Sequence, residues 1–231
     1  MNIDIMTLFP EFVDSILSES IIGRARKSGK LSVEAHNIRD YSEDKHRRVD
    51  DTPYGGGKGM LMAAPPIYRC RKAILEKRGY SEEDRVCTVY MSPRGKVFNQ
   101  TIAKELSEYD GMVILCGHYE GVDERIIEEV VDMELSIGDF VLTGGELPAC
   151  IVADAVGRLC EGVLSDPECH EKESFSEGLL EYPQYTRPYD YHGMKVPDVL
   201  ISGHHENIDK WRREKSLEIT AARRPDLLKK D

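Results

Sequence analysis

Short apolar runs alternate along the chain with segments in which apolar residues recur every three or four positions, the pattern of β-strands alternating with amphipathic helices. Residues 3–9 read as a strand, and Pro10 opens a helix that carries Phe12, Ile16 and Leu17 and that Gly29 ends. A strand over 31–35 follows. After a loop over 41–60 come a helix over 66–78, a strand over 85–91, a helix over 99–109, a strand over 112–116 and a helix from about Asp123. A strand over 140–143 then feeds a helix over 147–159, with Ile151, Ala155 and Leu159 on one face. This alternation predicts an α/β fold with a mainly parallel sheet and helices on both faces.

The periodicity stops over 162–185, where acidic residues, Ser174, Gly178 and Pro183 read as a flexible linker with a short ordered turn. Beyond it, a helix from His204 through Trp211 and Leu217, with Pro225 interrupting a basic end, predicts a small helical domain. The expected division is therefore 1–161, 162–185 and 186–231. No stretch approaches the roughly 20 apolar residues of a membrane span, and the first residues lack a basic segment and a cleavage site. A cytoplasmic location with no membrane partner is expected. The six cysteines form no C-x-x-C pair and read as reduced, packed thiols rather than a metal site or disulfide framework.

The formal net charge of −11 argues against a nucleic-acid partner, and its distribution weakens that argument. Residues 119–181 hold 17 acidic against 3 basic side chains, a local −14 that leaves +3 for the rest. Basic residues gather at Lys45, Arg47, Arg48 and Lys58, and again at Lys210, Arg212, Arg213, Lys215, Arg223, Arg224, Lys229 and Lys230. The second group fits either a solvated helix face or a track for phosphates.

Candidate chemistry concentrates in two glycine-rich turns, Cys116-Gly117-His118-Tyr119-Glu120-Gly121 and the run from Ser136 to Pro148 containing Gly138, Gly144 and Gly145. Glycines just after buried strands let backbone groups approach a ligand where a Cβ would clash. Common motifs are excluded: Lys58 in the 51–60 loop is followed by Gly59 where a Walker loop needs Ser or Thr, and no G-x-G-x-x-G, G-x-S-x-G or H-E-x-x-H appears.

Leu8-Phe9-Pro10, Arg47-x-Val49-Asp50-Asp51-x-Pro53-Tyr54-Gly55-Gly56-Gly57-x-Gly59-Met60, Ser92-Pro93-x-Gly95, Cys116-Gly117-x-Tyr119-Glu120-Gly121, Asp123-Glu124-Arg125, Ser136-Ile137-Gly138-Asp139, Gly144-Gly145-Glu146-Leu147-Pro148-Ala149, Glu177-Gly178-Leu179-Leu180, Tyr185-Thr186-Arg187-Pro188 and Arg223-Arg224-Pro225-x-Leu227 occur in order across nearly the whole chain. Together they resemble the bacterial tRNA (guanine-N1-)-methyltransferases, the TrmD family of the SPOUT superfamily. The resemblance implies a catalytic domain with a deep trefoil knot, a linker, a helical tRNA-binding domain and a homodimer. Its implied reaction is methyl transfer from S-adenosylmethionine to N1 of the guanine at position 37, just 3′ of the anticodon. DNA is not an expected partner.

Carried over residue by residue, the resemblance places the cofactor against Tyr90, Met91, Ser92, Pro93 and Gly95, against Gly117, Tyr119 and Glu120, and against Ser136, Ile137, Gly138, Phe140, Leu142, Gly144, Gly145 and Pro148. It places substrate against His46, Asp50, Tyr54, Gly55, Gly56, Gly57 and Gly59. Arg158 falls at the family's catalytic arginine, although its spacing also suits an i,i+4 pair with Asp154. The family's catalytic aspartate precedes Ser-Phe, and here Glu173 precedes Ser174-Phe175. His118 stands where relatives often carry arginine. A magnesium requirement is also implied, with no residue spacing that marks a dedicated metal site. Two other readings are a non-catalytic RNA-binding module and an enzyme of a phosphorylated metabolite using the 55–59 loop. The retained glycine turns, Arg158 and the acid at 173 disfavour the first; the extent of the match and the basic tail disfavour the second.

Overall fold

The structure is a computed structural model that describes residues 1–164 and 173–228. It divides into two compact units, Met1–Ser165 and Asp166–Asp231. The first runs β1 (Asn2–Thr7), α1 (Pro10–Leu17), α2 (Ser20–Lys27), β2 (Ser32–Asn37), β3 (Asp50–Asp51), β4 (Leu61–Met62), α3 (Ala64–Arg78), β5 (Val86–Val97), α4 (Gln100–Ser107), β6 (Gly111–Cys116), α5 (Glu124–Val130), β7 (Met133–Ser136) and α6 (Glu146–Gly157). Five strands form one sheet in the order β2-β1-β6-β5-β7, and every pairing in it is parallel. This is the expected α/β class.

Central β6 is buried along its whole length, so both of its faces must be apolar. Met112, Ile114 and Cys116 join Val13 and Leu17 of α1, Ile102 and Leu106 of α4 and Val152 and Val156 of α6 in one core. Val113 and Leu115 join Ile67 and Ile74 of α3 and Ile126 of α5 in the other. Local signals set the helix ends: Asn99 accepts from the Ile102 N–H to cap α4, Asp123 accepts from Arg125 N–H to cap α5, and Gly79 closes α3 at φ 71°.

Two expectations for this unit are corrected. The single helix from Pro10 to Gly29 is two helices, because Ser20 takes φ 55° and the chain turns so tightly that a Cβ on Gly23 would lie 1.9 Å from the Ser18 carbonyl oxygen. Residues 140–143 are not a strand. The edge strand is β7, and Phe140, Val141 and Leu142 stand 53%, 81% and 39% exposed in the loop after it. Apolar side chains in that loop mark a surface that covers something, not a core.

A charged cluster lies inside β1 and β2. Asp4 is 1% exposed; its Oδ1 lies 2.7 Å from His36 Nε2, and Arg78 donates to both carboxylate oxygens at 2.8 and 2.9 Å. Burial alone would raise the Asp4 pKa, but the hydrogen bonds from His36 and Arg78 outweigh it and hold the group below its ordinary value. The five described cysteines are free, and burial raises the thiols, Cys150 to about 11 and Cys87 to about 12. No helix among the described residues is long and apolar enough to cross a membrane.

The second unit contains the hairpin β8 (Asp190–Tyr191) and β9 (Met194–Lys195) and the long helix α7 (His205–Arg223). Residues 173–181 form a compact turn against α7. Residues 165–172 of the expected linker, with Cys169, lie outside the described residues, as do Lys229 and Lys230.

Candidate active site

The C-terminal ends of parallel strands are where open α/β sheets bind ligands, and a cavity of this chain lies there. This cavity of about 550 Å³ is walled by the turns after β6 and β7 and by the excursion within β5. That excursion is a register shift between Met91 and Lys96, which lifts Ser92 and Pro93 off the sheet. Every residue expected to hold the cofactor lines the cavity except Gly95 and Gly138. Those two are glycine for other reasons. A Cβ on Gly95 would meet the Glu134 backbone at 2.5 Å, and Gly138 takes φ 139° with Phe140 beside it.

Gly144 and Gly145 are also explained within the protein. The Gly145 N–H donates to the Gly117 carbonyl at 3.0 Å, His118 and Gly144 form an antiparallel bridge, and a Cβ on Gly145 would lie 2.7 Å from Cys116 Cα. Both glycines let the turn before α6 press against the end of β6. Leu135, Ile137, Leu142 and Pro148 give the cavity an apolar wall, while Tyr119, held at φ 59°, and Glu120 give it a polar rim.

The sequence reading missed Glu146 as part of this site. It is 5% exposed, accepts from Thr7 Oγ1 at 2.6 Å and lies 2.7 Å from His118 Nε2. The signal was an acid at the first position of a helix with an apolar face. Arg94, also missed, lines the cavity and pairs with Glu124 at 3.1 Å; that contact and Glu134 raise its pKa.

The expected substrate residues occupy a neighbouring excursion. Asp50 lies in β3, paired with Met62 of β4, and the loop between the two strands holds Gly55, Gly56, Gly57 and Gly59 at positive φ. Glycine is required there by conformation. Tyr54 is fully exposed at the tip. The loop reaches the cavity at its return: a Cβ on Gly59 would lie 2.5 Å from Glu120 Oε1, the Glu120 N–H donates to the Met60 carbonyl at 3.0 Å, and Leu61 lines the cavity. His46 is exposed on the preceding turn, its N–H donating to Asp44.

Arg158 and Glu173 are not brought to this cavity by the first unit. Arg158 is the C-cap of α6, whose other end forms the cavity wall. The 12 residues of α6 span about 18 Å at ~1.5 Å per residue, beyond the reach of an arginine side chain. Glu173 belongs to the second unit, in a cleft it shares with Tyr182, Arg212 and Arg213.

A cavity of this size with an apolar wall and backbone-lined turns suits a nucleoside-sized cofactor. Magnesium is different. Among the described residues, only Asp4, Glu34 and His36 cluster as metal ligands would, and Arg78 and Lys77 already engage their carboxylates. That cluster does not serve the cavity.

A family model described as tRNA (guanine-1)-methyltransferase TrmD matches residues 1–230. The chain belongs to the TrmD family. Proteins named tRNA (guanine-N(1)-)-methyltransferase match it from end to end. The one from Ruminiclostridium cellulolyticum is 57% identical over 230 residues, 100% of this chain and 97% of that protein. Those from Lachnospira eligens and Clostridioides difficile are 56% identical over 98% of this chain and 53% identical over 100%, covering 94% and 98% of their own lengths. This similarity covers both units, so the C-terminal unit, α7 included, is shared with the relatives as well.

Proposed function

We propose that this chain transfers a methyl group from S-adenosylmethionine to N1 of the guanine at position 37 of tRNA. The observation that carries the proposal is convergence: three segments separated in sequence, the turns after β6 and β7 and the excursion within β5, wall one cavity in a member of the TrmD family. When bound, S-adenosylmethionine supplies an electrophilic methyl on its sulfonium sulfur. The apolar wall of Leu135, Ile137, Leu142 and Pro148 excludes water from the transfer, and the glycine turns set backbone groups along the cofactor.

The target nitrogen carries a proton at neutral pH, and its removal leaves negative charge on O6. Glu173 accepts that proton, Arg158 opposes the charge on O6, and Asp50 accepts from the guanine edge. His46, Tyr54 and the glycines of the 55–59 loop contact the RNA around it. No step is assigned to magnesium, because none of the described metal-capable clusters borders the cavity.

The position of Arg158 bears on assembly. With the cavity at one end of α6 and Arg158 at the other, one subunit does not bring both to the same guanine, and a homodimer does. Helices α1 and α6 pack against each other and leave Phe12, Ile16, Leu147 and Ile151 exposed. These are two i,i+4 apolar pairs on adjoining helices, a surface suited to a second copy. The segment from 137 to 145 leaves the sheet edge at β7 and returns across the end of β6; we take this return as the closure of a trefoil knot in a catalytic domain over 1–161. The remainder is a linker over 162–185 and a tRNA-binding domain over 186–231, in a cytoplasmic enzyme.

Incubation with methyl-labelled S-adenosylmethionine and unmodified tRNA tests the proposal. Label in the tRNA is the expected result, with Glu173→Ala abolishing transfer and leaving cofactor binding intact. An RNA-binding module would bind tRNA and transfer nothing.

A further inference from the structure

The turn that carries Glu173 is built onto α7. Within it the Phe175 N–H donates to the Leu179 carbonyl at 2.8 Å, the Ser176 N–H to the Glu173 carbonyl at 3.2 Å and the Glu181 N–H to Ser174 Oγ at 3.0 Å. Leu179 is buried beneath it. Several contacts fasten the turn to the helix and its C-cap, among them the Arg224 guanidinium 5.7 Å from the centre of the Phe175 ring. The Leu180 N–H donates to Thr220 Oγ1 at 2.8 Å, and Glu177 pairs with Arg213 at 2.7 Å on the surface.

Thr220 is 0% exposed. Its hydroxyl donates to the Ser216 carbonyl one turn back at 2.6 Å, the usual outlet for a helical threonine. With its proton committed there, the oxygen is oriented to accept, and what it accepts is a backbone N–H 40 residues away in sequence. A methyl group would fill the space of that hydroxyl equally well. Of the two, only the hydroxyl can accept from the Leu180 N–H.

We propose that Thr220, assisted by Arg213, is a positioning residue for the proton acceptor at Glu173, so that the base moves as one body with α7. The proposal rests on the reading of Glu173 as the base. It deepens that reading: α7 also carries Lys210, Arg212, Lys215 and Arg223, so tRNA held on this helix is held in fixed register with the carboxylate that must reach N1. Lys215 is engaged with Glu218 along the helix, and Arg212 both with Asp209 and with the face of Tyr182 just beyond the turn, 5.0 Å from the ring centre.

The test compares Thr220→Val, which keeps the shape and removes the hydroxyl, with Thr220→Ser, which keeps the hydroxyl. Single-turnover methylation at saturating tRNA and S-adenosylmethionine is measured beside hydrogen exchange over 173–182. A misplacement of about 1 Å costs on the order of 100-fold in rate. The expected loss for Thr220→Val is therefore about 10- to 100-fold in the single-turnover rate, with faster exchange at Leu180, unchanged tRNA KM and unchanged cofactor affinity. Thr220→Ser restores the rate. A Thr220→Val enzyme within about threefold of the parent, or one whose loss lies wholly in tRNA KM, overturns the proposal. Should Thr220→Val not fold, the exposed variant Arg213→Gln carries the same test with a smaller expected loss, and an unchanged single-turnover rate overturns it. Glu173→Gln distinguishes the two readings: inactivity of that variant beside an unaffected Thr220→Val refutes only the positioning role, whereas full activity of Glu173→Gln refutes the base and the positioning role with it.

Discussion

A methyl group added at Gly144 should weaken cofactor binding, and removing a second side chain should restore it. The ideal Cβ at Gly144 would lie 2.3 Å from His118 Cε1, 2.4 Å from its Nε2 and 2.6 Å from Glu146 Oε2. It would therefore stand on the line of the 2.7 Å contact between His118 and the buried Glu146. A hydrogen bond to a charged group contributes about 1.5–3 kcal/mol, and Gly144→Ala is expected to lose about that much stability. The imidazole, itself part of the cavity wall, is displaced, and the cofactor affinity falls at least about tenfold, equivalent to ~1.4 kcal/mol. His118→Ala alone loses the same contact and costs a similar amount. In the double variant the methyl occupies space the ring has vacated, so its cost is largely removed. Denaturant unfolding and calorimetric titration of the four proteins form a double-mutant cycle. The structure predicts strong coupling, with the double variant near the worse single variant in stability and binding cofactor better than Gly144→Ala. Costs that add within about 0.5 kcal/mol, with no recovery of affinity, would refute the reasoning.

Asp4→Asn should cost about 3–5 kcal/mol, because it leaves Arg78 and His36 facing an uncharged buried group. The folded Asp4 pKa lies below its ordinary 3.8, so its stabilising contribution is fully present above that value and is lost as pH falls through the lower folded one; acid titration of stability should show this limb in the parent and lack it in the variant. Mixed dimers test the assembly: co-expressed Leu142→Arg, with a blocked cavity, and Arg158→Ala, with a missing cation, should regain partial methylation if the two groups come from different subunits. Confirmed heterodimers without activity would place both groups in one subunit.

The sheet and its helices were legible because β6 and its neighbours are buried strands and α1, α3, α4 and α6 are amphipathic or apolar segments; the end of α1 at Leu17 was not, because neither glycine nor proline marks it. The cavity turns were legible as glycine clusters after strands. What one-dimensional pattern could not separate was an apolar run in a core from one in a cavity wall, and residues 140–143 were read as a strand for that reason. The role of each glycine was equally hidden: Gly95 and Gly145 yield to neighbouring backbone, Gly144 yields to the His118 and Glu146 side chains, and the glycines of 55–59 serve a positive φ. Glu146 escaped notice because an acid at a helix start looks like a solvated cap until Thr7 and His118 are seen to bury it. The arginine at 158 was legible only through the resemblance, and its distance from the cavity follows from the length of α6, whose end the sequence placed two residues late.

The most direct measurement maps the methyl group. A tRNA transcript with guanine at position 37 is incubated with the protein and S-adenosylmethionine, and reverse transcription is then run across the anticodon loop. Methylation at N1 removes a Watson–Crick hydrogen-bond donor, so extension should halt immediately 3′ of position 37, and replacing that guanine by adenine should abolish the halt. Full-length extension together with methyl label in the RNA would place the methyl elsewhere, and would contradict the assignment of this cavity to N1 methylation.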